Sequence, residues 1–238
     1  MTLALLACAT AALGLTLLGA AGPVYRIGVL SLPAAFTLLR WGAYVGIAAT
    51  LMGLLAGLLS YRRGSRVSAL LASVAVLGGI AAFGMPFEWQ RGARSVPPIH
   101  DITTDLEQPP TFEAIVPLRA NAPNTLDRLP DLADQQRLGY PDLAPIILST
   151  PSDRAFDRAL AVAQEAGWLI VTADKGSGRI EATDTTRWFG FQDDIVVRLT
   201  PSGTGTRVDV RSVSRVGRGD TGTNARRIRG YLDALQSS

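Results

Sequence analysis

Three long apolar runs precede the polar part of this chain. Residues Thr2–Gly22 carry no charge, and a bilayer core takes about 20 helical residues. This run is therefore long enough to span one, and Pro23, Tyr25 and Arg26 are expected to close it. Leu32–Ser60 is longer and can span with tilt. Arg40 lies near its start, where it can snorkel to an interface that also suits Trp41 and Tyr44. The other reading of Arg40 is an intramembrane ion or substrate contact. Gly53 and Gly57 form a GxxxG spacing that permits close helix approach. Val67–Phe87 supplies a third span, closed by Pro86 and by Trp89 at the interface.

Beyond the spans the periodicity changes. Arg91–Pro145 is proline-rich and has neither a helical nor an alternating pattern, yet it contains Ile99, Ile102, Phe112, Ile115 and Tyr140. It reads as an extended arm lying on the soluble domain or the membrane surface. Ile146–Ser149 reads as a short strand. Phe156, Ala159, Leu160 and Ala163 then form a helical stripe, stopped by Gly167. Strands follow at Trp168–Thr172, Arg179–Phe191, Asp194–Thr200 and Thr206–Val216, joined by short turns. Ile228, Tyr231, Leu232 and Leu235 mark a last amphipathic helix. The expected fold is about three α-helical transmembrane spans (1–90) and an arm (91–145). A two-layer α+β domain (146–238) follows, with an antiparallel sheet of about four strands flanked by two helices.

Alternation along the strands gives the sheet two unlike faces. Ile195, Val197, Leu199, Val208 and Val210 point one way; Asp194, Arg198, Arg207, Asp209, Arg211 and Arg215 point the other, with Trp188, Phe189 and Phe191 expected as a rim. The last strand leads into a turn holding Gly217, Gly219, Asp220, Gly222 and Asn224, and then into a helix whose first turns carry Arg226, Arg227 and Arg229. Cations there oppose the helix dipole, so Asp220 and other carboxylates, or an outside anion, must compensate them. An anion site is expected from Arg187, Arg198, Arg211 and Arg215 with Gly217, Gly219, Asp220, Asn224 and Arg226. The plainer reading of that face is a lattice of cross-strand ion pairs. Gly217-x-Gly219-x-x-Gly222 matches a dinucleotide fingerprint, but such a site also needs a following parallel strand and a later acid, so no dinucleotide is expected.

Composition narrows the classes. Of 238 residues with net charge +3, the apolar part holds Arg26, Arg40, Arg62, Arg63, Arg66 and Glu88. The remainder has 18 basic and 19 acidic residues, which argues against a nucleic-acid partner. Cys8 is the only cysteine, so no intramolecular disulfide or cysteine-rich metal site forms. It lies too near Met1 for a lipoprotein signal, and an inert buried thiol is expected. His100 with Asp101 and Asp105 could ligate a metal; a structural turn is the favoured reading, and no metal or cofactor is expected. Arg62, Arg63 and Arg66 between spans two and three place that loop in the cytoplasm by the positive-inside rule. The C-terminal domain is then extracytoplasmic, and no cytoplasmic cofactor should be needed.

Glu181–Asp194 (EATDTTRWFGFQDD), Val210–Asp220 (VRSVSRVGRGD) and Asn224–Ile228 (NARRI), preceded by Pro98–Asp105 (PIHDITTD), resemble the domain of unknown function 1499 family. The resemblance runs from about Val96 to Leu235. It implies a bacterial or organellar envelope protein, often with membrane spans ahead of the domain, and it brings no established reaction or catalytic residue.

Two functions are expected to compete. One is a binding module on the bacterial inner membrane, taking an anionic envelope ligand such as a lipid headgroup, or a partner protein. Membrane lipid surrounds its spans. The other is a hydrolase or transferase of envelope material. It would use Asp184, Asp193, Asp194 or Asp209 as acid and base, or Ser212 or Ser214 with His100. A third reading, a scaffold for protein assembly, predicts an exposed apolar patch.

Overall fold

The structure, a computed structural model, describes residues 1–128 and 131–237. Pro130, one of the prolines of the arm, lies outside them. The chain divides into two compact units: Met1–Gly92 with Trp188–Gly190, and Ala93–Arg187 with Phe191–Ser238.

The first unit is built on α1 (Thr2–Arg26), α2 (Leu32–Arg62) and α3 (Arg66–Arg94), each long and apolar enough to cross a membrane. Two prolines are placed differently from expectation, although α1 does end at Arg26. Pro23 and Pro86 sit inside α1 and α3 instead of ending them. A proline removes one i→i−4 bond, and the ladder on either side holds the helix through it. Small residues bring the helices together. A Cβ on Gly42 would stand 3.0 Å from the Gly14 carbonyl oxygen, and one on Gly46 2.8 Å from that of Gly79. The GxxxG spacing also serves inside this unit, where a Cβ on Gly53 would lie 2.8 Å from Val76 Cγ2. Phe189 packs against Tyr25 and Phe36 of the same unit. Trp188 and Phe189 therefore group with the helices rather than with the polar sheet face.

The second unit is a two-layer α+β domain. Its antiparallel sheet has six strands where the pattern predicts about four: β1 (Asp101–Thr103), β2 (Ile146–Leu148), β3 (Leu169–Asp174), β4 (Arg179–Thr185), β5 (Gln192–Ser202) and β6 (Gly205–Ser214). β3 to β6 form a meander, and β1 and β2 share the outer edge of β6. β1 pairs with Arg211–Val213 and β2 with Thr206–Val208. Between them Thr104 completes the edge. Its N–H donates to the Val210 carbonyl, and its Oγ1 accepts from the Val210 N–H, both at 2.9 Å. A three-residue strand is too short to show a period, which is why β1 was legible only as part of the arm.

The helix-side face holds the main core. α5 (Ser152–Glu165) and α6 (Thr223–Ser237) lay Phe156, Val162, Ile228, Tyr231 and Leu235 on Ile180, Ile195, Val197, Val208 and Val210. The opposite face carries a second, small core. Phe112 and Ile115 of the arm sit on Val196 and Val213. The arm also forms a 3₁₀ turn (Val116–Arg119) and α4 (Leu132–Gly139). It belongs to the same compact unit as the sheet.

Candidate functional site

The arginine-lined face of the sheet is occupied by the arm. Arg211, on β6, donates from Nε and Nη2 to both oxygens of Asp101 at 2.9 and 2.8 Å, a forked pair closed from solvent. Arg128 adds a third bond to Asp101 at 3.1 Å. Burial holds the Arg128 guanidinium below its usual range, against the Asp101 charge, which raises it. Arg215 forks onto Asp194 at 2.9 and 2.8 Å, and Arg119 of the arm reaches the same carboxylate at 2.6 Å. Arg198 and Arg207 bridge Asp209 and the arm's Asp105. Burial pushes the Asp105 carboxyl up. The N–H groups of Gln108 and Glu107 and the charges of Arg207 and Arg198 outweigh it and hold the group below the usual carboxylate range. Glu181, fully buried on β4, accepts the backbone N–H groups of Glu113 and Ile115 at 2.7 and 2.9 Å.

The expected lattice of ion pairs is present on this face, and it extends to the arm of the same chain. Such pairs are hydrogen-bonded on several sides, which is the condition under which buried charge is tolerated. Of the expected anion-site residues, Arg198, Arg211 and Arg215 all work inside this clasp. Arg187 is exposed, in the segment after β4.

The glycine turn likewise grips the chain. A Cβ on Gly219 would stand 3.0 Å from Pro98 Cα, and the Asp220 N–H donates to the Ile99 carbonyl at 3.2 Å. The Gly217 carbonyl accepts from Asn124 Nδ2 at 2.8 Å. Asp220 caps α6, accepting the N–H groups of Gly222 and Asn224 at 2.8 and 2.6 Å. Burial raises the Asp220 carboxyl above its usual range despite these bonds. Burial, then the nearby Asp220, pushes the Tyr140 phenol up to about 12.

On the helix side a second polar cluster sits at the start of α6. Arg227 donates to Asp184 at 2.9 and 2.8 Å and to Asp193 at 2.6 Å. Buried Asn224 accepts from Ser212 at 2.7 Å and donates to Ser214 Oγ and to the His100 carbonyl, both at 3.0 Å. Arg229 forks onto Asp142. Of the three cations near the helix start, two are thus met by carboxylates. Arg226, exposed, makes neutral bonds to the Thr221 carbonyl and to Thr223 Oγ1 at 3.0 and 3.1 Å.

The residues weighed for metal binding diverge. His100 Nδ1 faces the Arg218 carbonyl at 3.3 Å, while Asp101 and Asp105 point to separate arginines. Among the described residues no group of three or more His, Cys, Asp or Glu is placed to hold a metal ion. The partners that sequence reasoning missed are Arg119, Arg128 and Asp101 as clasp residues, and Trp168 as a groove residue. A groove of about 460 Å³ lies along α6, lined by Trp168, Tyr231, Gly230, Arg226, Arg227 and Asp184 among others. The signal for the clasp was the arm's own Asp101 and Asp105, whose counter-charges stand on the strands.

The family described as "Protein of unknown function (DUF1499)" matches residues 101–235, from the first residue of β1 into the last turns of α6. No curated protein matches the chain. The match covers more than half of the chain and includes both the clasp and the α6 cluster, and the chain belongs to that family.

Proposed function

We propose that this protein is a membrane-anchored binding module of the bacterial inner membrane. Its C-terminal domain lies outside the cytoplasm and holds an anionic envelope ligand or a partner protein. The orientation rests on Arg62, Arg63 and Arg66 around the α2–α3 connection, by the positive-inside rule. The near balance of charge in the soluble part supports a partner other than nucleic acid.

The observation that carries binding over catalysis is the fate of the carboxylates. Asp184 and Asp193 are held by Arg227, Asp194 by Arg119 and Arg215, and Asp209 by Arg198 and Arg207. A general acid or base needs to reach substrate; Asp193, Asp194 and Asp209 are closed from solvent, and Asp184, partly exposed at the edge of the groove along α6, is paired with Arg227. Ser212 and Ser214 bond to Asn224 rather than to a base.

The test is native mass spectrometry of the full-length protein extracted gently from its own membrane. A retained, stoichiometric non-protein mass or a co-purifying protein supports the reading. A bare protein mass across mild detergents, together with turnover of an envelope substrate, overturns it.

A further inference from the structure

Charge on the apolar helices is sparse and falls at two levels. On α2, residues 41–61 carry no charge, with Arg40 before them and Arg62 after. On α3, residues 67–87 carry none, between Arg66 and Glu88. At 1.5 Å per residue each stretch is about 32 Å long, close to the ~30 Å of a bilayer core. The two stretches run side by side in opposite directions. A Cβ on Gly46 would meet Ala82 and Gly79, and one on Gly53 would meet Val76 and Ala72. Six residues before Gly46 is Arg40, and six after Ala82 is Glu88, so the two charges stand at one level. Arg40 thus marks one edge of the core, on the side that the positive-inside rule makes extracytoplasmic.

Arg40 has no counter-ion inside the chain. It is exposed, no carboxylate among the described residues pairs with it, and the one acid of the helices, Glu88, pairs with Arg91 at 3.9 Å. It also faces away from the bundle. α2 buries Ala35, Leu39, Gly42, Gly46 and Ala49, whereas Arg40, Tyr44, Ile47 and Leu51, at i, i+4, i+7 and i+11, share an exposed stripe. Trp41 stands beside them, edge-on to Tyr44 with ring centroids 5.9 Å apart. A charge facing hydrocarbon without a partner is costly. Helical side chains lean toward the helix N-terminus. For Arg40 that is the direction of the nearer interface, so the guanidinium extends to the phosphate layer.

We propose that Arg40, with Trp41 and Tyr44, holds the headgroup of an anionic phospholipid against the lipid-facing side of α2. The guanidinium forks onto the phosphate. The indole N–H and the phenol hydroxyl are donors at the same level, and an acyl chain runs down Ile47 and Leu51 toward the middle of the bilayer. Net charge decides between lipids. A zwitterionic headgroup brings its own cation to the phosphate, whereas an anionic one takes Arg40 as its counter-ion. The lipid is a second ligand, independent of any held by the C-terminal domain.

Full-length protein in neutral detergent is titrated by native mass spectrometry with dioleoyl phosphatidylglycerol, dioleoyl phosphatidylcholine and inorganic phosphate. The first phosphatidylglycerol should bind more tightly than phosphatidylcholine, and Arg40→Gln should weaken it about tenfold. Arg40→Lys keeps the charge without the fork and should fall between. Arg63→Gln, at the other end of α2, should leave that adduct unchanged. Arg40→Gln removes no internal partner, so its thermal midpoint should match wild type. A second measurement needs no Arg40 variant. In phosphatidylcholine vesicles, chain-brominated phosphatidylglycerol should quench Trp41 fluorescence, taken as wild type minus Trp41→Phe, more than equally dilute brominated phosphatidylcholine. Equal binding or equal quenching by the two lipids overturns the anionic headgroup. Equal weakening in Arg40→Gln and Arg63→Gln overturns the site, and displacement of the adduct by inorganic phosphate overturns membrane lipid as its source. A lipid mass retained from the native membrane and lost in Arg40→Gln supports this site and is not the ligand of the C-terminal domain.

Discussion

Arg119 extends from the arm to place Nη1 2.6 Å from Asp194 Oδ2, and neither side chain is open to solvent. The carboxylate also accepts from Arg215 and from Thr183 Oγ1. Removing one partner of a buried pair leaves charge without full compensation. Arg119→Met should therefore destabilise the domain by about 3 kcal/mol, the lower end of the usual cost, because Arg215 remains. Thermal unfolding of full-length protein would check this, with Arg137→Met as a control, since the exposed Arg137 pairs should be worth ~1 kcal/mol or less.

Two carboxylates should respond to pH in opposite directions. Asp105 is held below its unfolded value, so its contribution is present above a pH of about 4 and is lost as pH falls through its folded value. Asp220 is raised by burial, so its contribution is present below a pH of about 4 and is lost as pH rises through its folded value. The stability difference between wild type and Asp105→Asn should shrink on acidification. Measured against Asp220→Asn, wild type should instead gain on acidification. Melting curves from pH 7 downward would show the two slopes; slopes of one sign would contradict the assigned environments.

Much of this architecture was legible from pattern alone. The alternation in Asp194–Leu199 and Arg207–Arg215 correctly separated the apolar and charged faces, because strand geometry fixes which neighbours share a side. The three apolar helices and the α6 stripe followed from length and period. The occupant of the charged face did not follow. Asp101, Asp105 and Arg119 lie in a segment without periodicity, and their partners stand far along the chain at Arg211, Arg207 and Asp194. Such pairing is set by tertiary approach, which residue spacing does not encode. Trp168 was expected in a strand that in fact begins at Leu169, and its stacking on Tyr231 depends on how α6 crosses the sheet.

The orientation assigned from Arg62, Arg63 and Arg66 is open to a direct check. Alkaline phosphatase fused after Gln236 should be active, and a fluorescent protein at the same point should be dark. Fusions at Gly64 should give the reverse. The opposite pattern would place the domain in the cytoplasm.

The clasp has a backbone signature. The Glu113 and Ile115 N–H groups end on the Glu181 carboxylate, and the Asn124 N–H ends on the Arg215 carbonyl. Hydrogen–deuterium exchange on full-length protein would read these amides directly. Protection comparable to that of β5 and β6 is predicted, since release would expose Glu181 and Asp194 together. Exchange as fast as at the exposed Gly203 turn would show the arm detached and the arginine face open, which would contradict the account and return the ligand site to Arg198, Arg211 and Arg215.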